Sequence, residues 1–208
     1  MRIGLTVDSL APMLTGIGRY TWELCQGLGN CSNVESLAYF RFNEWIANPS
    51  AYLDADRPRP AYRPKWLKRR LMRRGFQGRL VHGTNYFLPE PVEAGILTVH
   101  DMSIYRHRET HPPERIAAFE QGFESSLARA AHVITDSEAV RGELIEHTGM
   151  SPDRVTAVHL GVSSRYRAAR LPERTETVRR LLDDKADNYI LSVATFEPRK
   201  RIEQAILA

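Results

Sequence analysis

Seven short apolar runs constrain this chain more than any other feature: "RIGLTV" (2–7), "SLAYF" (36–40), "RLVHG" (79–83), "ILTVH" (96–100), "HVITD" (132–136), "VTAVHL" (155–160) and "YILSVA" (189–194). Their apolar residues are nearly continuous instead of alternating with polar ones. That is the pattern of parallel strands covered on both faces. Helix-period segments fill the crossovers between them, and strands alternating with helices in this way predict an α/β fold with a doubly wound parallel sheet.

The clearest helical segment carries Ile116, Phe119, Phe123, Leu127 and Ala130, spaced 3, 4, 4 and 3 along one face. Pro112 and Pro113 start it, where missing amide donors cost little. A second helix is expected from about Gly18 to Leu28, with Ile17, Leu24 and Leu28 as its core-facing stripe. A third, "SEAVRGELIEHTG", has Ser137 as N-cap and Gly149 near its C-terminal end. Internal repeats and low-complexity tracts are not seen.

The chain has 208 residues, 42% of them hydrophobic and 26% charged, enough for one full core and part of another. The expected organisation is a domain over 1–167, a polar linker over 168–188, and the opening strand and helix of a truncated second domain over 189–208. No run is long enough for a membrane span, and the N-terminal run is too short for a secretory signal, so the cytoplasm is the expected location. Cys25 and Cys31 lie six apart with no CxxC pair or matching histidines, so neither a disulfide framework nor a zinc site is indicated.

The formal charge of +4 is unevenly spread. Between Arg57 and Arg79, ten Lys or Arg occur with no acid, and such a block needs an anionic partner or abundant water. Within it, "PKWLKRRLMRR" sets Trp66, Leu67, Leu71 and Met72 as a narrow apolar face among Lys68, Arg69, Arg70, Arg73 and Arg74. This is the pattern of an interfacial helix on an anionic membrane. A solvated face is the plainer reading; nucleic acid is disfavoured because no recognition motif accompanies the charge.

Polar residues collect where strands end. Gly16 and Gly18 open the turn from first strand to first helix, where glycines let amides approach a pyrophosphate. Thr21 occupies the third glycine position of a dinucleotide fingerprint, which argues against nicotinamide or flavin binding. A turn glycine that opens a helix explains the same residues. His100 and Asp101 end one strand, His82 ends another, and Asp136-Ser137 ends a third, all at the carboxyl edge where ligands of such sheets bind. A structural histidine and an aspartate capping the next turn remain the alternatives. Arg199 and Lys200, after the last run, form a cation pair able to hold a diphosphate or simply a solvated helix start.

Taken in order, "TGIGRYTWELC", "VHGTNYFLP", "LTVHDMS", "HVITDSEAVRGEL", "VTAVHLGVSSRY" and "ILSVATFEPRKRIEQAILA" resemble the glycosyltransferase family 4 enzymes, particularly bacterial mannosyltransferase-like members of polysaccharide assembly. The resemblance spans nearly the whole chain. It implies a GT-B architecture, two Rossmann-like domains facing a cleft, with the N-terminal one present here. It further implies that Gly16, Ile17 and Gly18 border that cleft near the donor phosphates, that His100 approaches the donor sugar with Asp101 as a candidate base, and that Lys200 and Arg199 hold the nucleotide diphosphate. Arg19, Tyr20, His82 and Ser137 are the acceptor-side candidates.

The implied reaction is retaining transfer of a hexose, mannose above all, from a nucleotide-diphosphate sugar to a lipid-linked or polysaccharide acceptor, with no other cofactor and no metal. The basic helix then has a role on the inner face of the membrane. The family's acidic donor-binding motif has no counterpart before Ala208, so these 208 residues are expected to be inactive alone. The rival expectation is a non-catalytic acceptor- or membrane-binding module, or a half-enzyme needing a partner subunit.

Overall fold

The computed structural model describes residues 1–54, 64–110, 112–164 and 166, and further along the chain 176, 178, 180, 181, 191–194 and 200–207. The chain divides into two compact units, Met1–Leu160 and Gly161–Ala208.

The first unit is built on seven strands: β1 (Arg2–Thr6), β2 (Ser36–Arg41), β3 (Glu44–Ile46), β4 (Leu80–Gly83), β5 (Gly95–Val99), β6 (Ala130–Thr135) and β7 (Val155–Ala157). Their order across the sheet is β3-β2-β1-β4-β5-β6-β7. All neighbours are parallel except β2 and β3, an antiparallel edge pair. Helices α1 (Gly16–Gly29), α2 (Lys65–Phe76), α3 (Ser103–Arg106), α4 (Pro113–Arg129) and α5 (Glu138–Thr148) fill the crossovers. This is the expected doubly wound, Rossmann-like sheet. Its winding reverses between β1 and β4, which opens a crevice at their carboxyl ends.

The buried strands are apolar for the reason anticipated. Leu5, Leu97, Val99 and Val133 are fully buried, with α1 packed over β1 and α4 and α5 over β5 and β6. In α4, Pro113 occupies the first turn behind Pro112, and Ile116 and Phe123 face the core. Ser137 caps α5 by accepting the Val140 N–H, and Gly149 ends it in the left-handed conformation (φ +66°), its N–H donating to the Ile145 carbonyl.

Four expectations are corrected. β3 was not foreseen, because three residues after a tight reversal make no apolar run; the reversal places Phe42 and Asn43 at positive φ. The buried line of α1 is Gly18, Thr21 and Cys25, with Leu24 and Leu28 only half-buried beside it, because small residues let the helix lie close to β1. The run at 155–160 forms a strand only to Ala157, and Val158 and Leu160 are exposed. Of the run at 189–194, residues 191–194 are described and form no strand, with Leu191 and Val193 exposed; a strand needs a ladder partner, and the described residues of that unit provide none.

Helix α2 is amphipathic, though not as expected. Met72 and Phe76 are buried against Phe40 and Val81, and the Trp45 indole N–H donates to the Met72 carbonyl at 3.1 Å. Trp66 stays 66% exposed on the other side. Gly75 is the close-approach point, since a Cβ there would lie 2.0 Å from Trp45 Nε1. Gly75→Ala is therefore expected to cost about 1–3 kcal/mol of stability by overpacking. Gly142→Ala, at an exposed position of α5 with nothing within 4 Å of the added carbon, is expected to gain up to about 1 kcal/mol. Urea unfolding of the two variants checks both signs.

Candidate functional site

The crevice is bounded by side-chain hydroxyls. Beyond the last rung shared by β1 and β4, the Thr84 N–H donates to Thr6 Oγ1 at 2.9 Å and Thr84 Oγ1 donates to the Thr6 carbonyl at 2.8 Å. Thr21, from α1, donates from its hydroxyl to Thr84 Oγ1 at 3.3 Å and lies 2.8 Å from Ser9 Oγ. Strand β1, helix α1 and strand β4 are thus tied together where the sheet divides.

His100 follows β5 directly, and its side chain is only 8% exposed. Its Nε2 lies 2.9 Å from the Thr84 carbonyl and its Nδ1 lies 2.8 Å from Asp136 Oδ2. A carbonyl only accepts, so Nε2 carries hydrogen. A further proton sits on the other side of the ring, within either an imidazolium–carboxylate or an imidazole–carboxylic acid pair. The Tyr20 ring meets His100 edge-on at 4.9 Å, so the imidazole is held on three sides. The second carboxylate oxygen of Asp136 is buried without a hydrogen-bond partner.

Below it, Thr98 Oγ1 lies 2.7 Å from His82 Nε2 and 3.0 Å from the Tyr20 hydroxyl. Burial, reinforced by the neighbouring His100, pushes the His82 pKa down to about 4. His82 is therefore a neutral interior residue and not an open acceptor-side group. Tyr20 is held above its ordinary range by burial.

Asp101 Oδ1 accepts the Ser103 N–H at 2.9 Å and so fixes the start of α3. Its backbone N–H and carbonyl both bond the Tyr86 hydroxyl at 3.1 Å. Ser137 is occupied as the α5 cap, and Arg19 pairs with Glu23 at 3.5 Å on the exposed side of α1. Gly18 is buried against the β1–α1 turn, where a Cβ would lie 2.8 Å from the Ser9 carbonyl oxygen; above Gly16 there is open space. Ile17, between them, is half-buried.

Lys200 is exposed in the second unit, and Arg199 lies outside the described residues. Lys68 pairs with Glu44 on β3, leaving Trp66, Arg69, Arg70, Arg73 and Arg74 as the exposed basic face of α2. Among the described residues no group of three or more His, Cys, Asp or Glu has metal-site geometry.

The structure thus brings Tyr20, His82 and His100 together, while Ser137 caps α5 and Arg19 lies on the exposed side of α1. Of the two partners that hold His100, Asp136 is among the strand-end residues singled out from sequence, and Thr84 is not. Asp136 had a strand-end signal; a threonine carbonyl has none.

His82 gives a pH signature. Its depressed pKa means the unfolded chain binds the proton first, near pH 6.5, so the stability it contributes is present above that pH and is lost as pH falls toward 4. The loss is expected to reach about 3 kcal/mol at most. His82→Gln, which keeps a donor toward Thr98, is expected to flatten that limb in urea titrations between pH 6.5 and 4.

Comparison with known proteins agrees with this architecture. A sequence profile described as Glycosyltransferase Family 4 matches residues 14–166. An O-antigen chain mannosyltransferase B of Escherichia coli is 30% identical over 227 aligned positions, which take in 100% of this chain and 59% of that protein. No helix among the described residues is long and apolar enough to cross a membrane. With the profile covering most of the doubly wound unit and its crevice, the chain belongs to glycosyltransferase family 4.

Proposed function

We propose that this chain is the acceptor-side region of a retaining glycosyltransferase that moves a hexose, specifically mannose, from a nucleotide-diphosphate sugar to a lipid-linked or polysaccharide acceptor. The observation that carries this reading is the immobilised His100, set by Asp136 and Thr84 at the crevice of a family 4 sheet. The mannose assignment leans on the name of the Escherichia coli relative, a mannosyltransferase.

In this reading Lys200 and Arg199 supply cationic stabilisation for charge that develops on the departing diphosphate. Gly16, with its open flank, lets a ligand approach the first turn of α1 closely. His100 acts as a fixed wall of the sugar site: both its nitrogens face protein acceptors, so it moves no proton without breaking one of those contacts. Asp101 is a poor base for the same reason, one oxygen being engaged with Ser103. The paired carboxylates of a retaining glycosidase, about 5 Å apart, are not invoked, and transfer is taken to proceed on one face of the sugar. The diphosphate's countercharge comes from the protein, so turnover is expected to persist in EDTA.

The exposed arginines of α2 are the proposed contact with the anionic cytoplasmic leaflet, where lipid-linked acceptors are presented. Each basic side chain near such a surface contributes about 1 kcal/mol, so four in one helix matter. Lys68 is excluded by its pairing with Glu44.

Two experiments test these proposals. Transfer of labelled mannose by the whole protein is expected to fall about 100-fold in kcat on Asp136→Ala, which releases the His100 ring, with the thermal melt retained. Absence of any hexose transfer from guanosine or uridine diphosphate donors overturns the reading. Vesicles containing anionic lipid are expected to bind the protein, and replacing Arg69, Arg70, Arg73 and Arg74 with Glu is expected to abolish binding. Equal affinity for neutral vesicles counts against the membrane role.

A further inference from the structure

Strand β4 gives way to a strained turn. The Phe87 N–H donates to the Asn85 carbonyl at 2.7 Å, and the residue between them, Tyr86, has φ of +56°. A hydrogen bond that spans three residues around a positive φ marks the rare, strained form of the γ-turn. Glycine or asparagine is the ordinary occupant of such backbone, and a bulky side chain there carries a cost. Strain held at a site is a reason to ask what the side chain does in return.

The Tyr86 side chain reaches the segment that follows β5. Its N–H anchors the turn by donating to the Thr98 carbonyl at 3.0 Å. Its ring stands edge-on to Phe119 and Phe123 of α4, with centroids 5.1 and 5.9 Å away. Its hydroxyl accepts the Asp101 N–H and donates to the Asp101 carbonyl, each at 3.1 Å. One phenol thus satisfies a donor and an acceptor of the same residue. Burial, reinforced by the Asp101 carboxylate, pushes the phenol pKa far above its ordinary value, so the proton that the carbonyl needs stays in place.

Strand β5 ends at Val99, and the peptides on either side of Asp101 lie beyond it, where their polar groups need other partners. Tyr86 supplies both. The Asp101 N–H belongs to the peptide that joins Asp101 to His100, so a grip on it sets the backbone from which the imidazole projects. The Tyr86 ring also faces that imidazole, 6.3 Å away with the planes 81° apart, and Tyr20 meets it at 4.9 Å and the same angle. Thr84, two residues before Tyr86, provides the carbonyl that takes the Nε2 hydrogen. The strained turn therefore reaches His100 through its backbone, its ring and its nitrogen.

We propose that Tyr86 is a positioning residue for His100: its hydroxyl fixes the two peptides around Asp101 and its ring flanks the imidazole, so that the ring keeps the orientation that Asp136 and Thr84 require. A residue that only filled space there needs no oxygen, and phenylalanine serves as well. That the fixed imidazole assists sugar transfer rests on the glycosyltransferase reading; that Tyr86 fixes it does not.

Tyr86→Phe keeps the ring and removes the oxygen. In ¹⁵N-labelled protein, the His100 Nε2 proton and the Asp101 amide are each expected to exchange with solvent about tenfold faster in the variant. Transfer of labelled mannose by the whole protein is expected to lose about tenfold in kcat, with donor and acceptor KM kept within about twofold. A space-filling role predicts at most a lower urea midpoint, with both exchange rates and kcat unchanged. Unchanged exchange at His100, or a change in KM alone, overturns the proposal. In the unsubstituted protein, an Asp101 amide that exchanges as fast as an open loop overturns it as well, whether or not the variant folds. If both exchange rates respond and the unsubstituted protein transfers no sugar, the positioning role stands and the enzyme reading falls. If transfer proceeds with kcat unchanged in the variant, the positioning role falls and the enzyme reading stands.

Discussion

The tie between Thr6 and Thr84 is the contact on which the rest of the site depends. A doubly wound sheet must part at its switch point, and the strands that part there leave backbone groups without ladder partners. Here the pair of hydroxyls replaces the missing rung, and Thr21 and Ser9 extend it into α1. With the Thr84 backbone fixed, its carbonyl becomes a rigid acceptor for His100. Moving either threonine therefore disturbs strand, helix and imidazole together, and the crevice has a defined shape before any ligand arrives.

Two histidines beside that tie show how partners decide protonation. His82 has one hydroxyl as partner and apolar strands on both sides, so it stays neutral well below the usual range. His100 faces a carbonyl and a carboxylate, two groups that ask the ring for hydrogens on both nitrogens or share a proton with Asp136. The same residue type, one strand apart, thus becomes a neutral core element in one place and a proton-holding pair in the other. Low dielectric sharpens the contrast, because an unpaired polar group there is costly.

Legibility from the sequence followed the length scale of each signal. Strands β1, β2, β4, β5 and β6 were readable, since burial on both faces writes continuous apolar runs, and α4 was readable from the stripe Ile116, Phe119, Phe123 and Leu127, although Ala130, counted with it, ends the helix and opens β6. The three-residue β3 and its left-handed reversal left no pattern to detect. The inner face of α2 was misread because Met72 was grouped with exposed Trp66, when it packs with Phe76 against residues from β2 and β4. Site residues divided the same way. His100 stood out by its position after a strand, whereas Thr84 meets it through a backbone carbonyl, which no local pattern encodes.

The glycine turn separates into two parts on steric grounds. Gly18 is needed for folding: the Ser9 carbonyl and the Leu14 side chain lie so close that a methyl group would displace the turn. Its neighbour two residues earlier has no such reason. Gly16 has ordinary negative φ, sits exposed at the first position of α1, and meets nothing within 4 Å of an added carbon. Folding alone tolerates alanine there, and helix propensity favours it. An open flank directly above the amides of a helix start is a surface that a ligand can approach to backbone distance. The fold thus requires the second glycine of the turn and can spare the first.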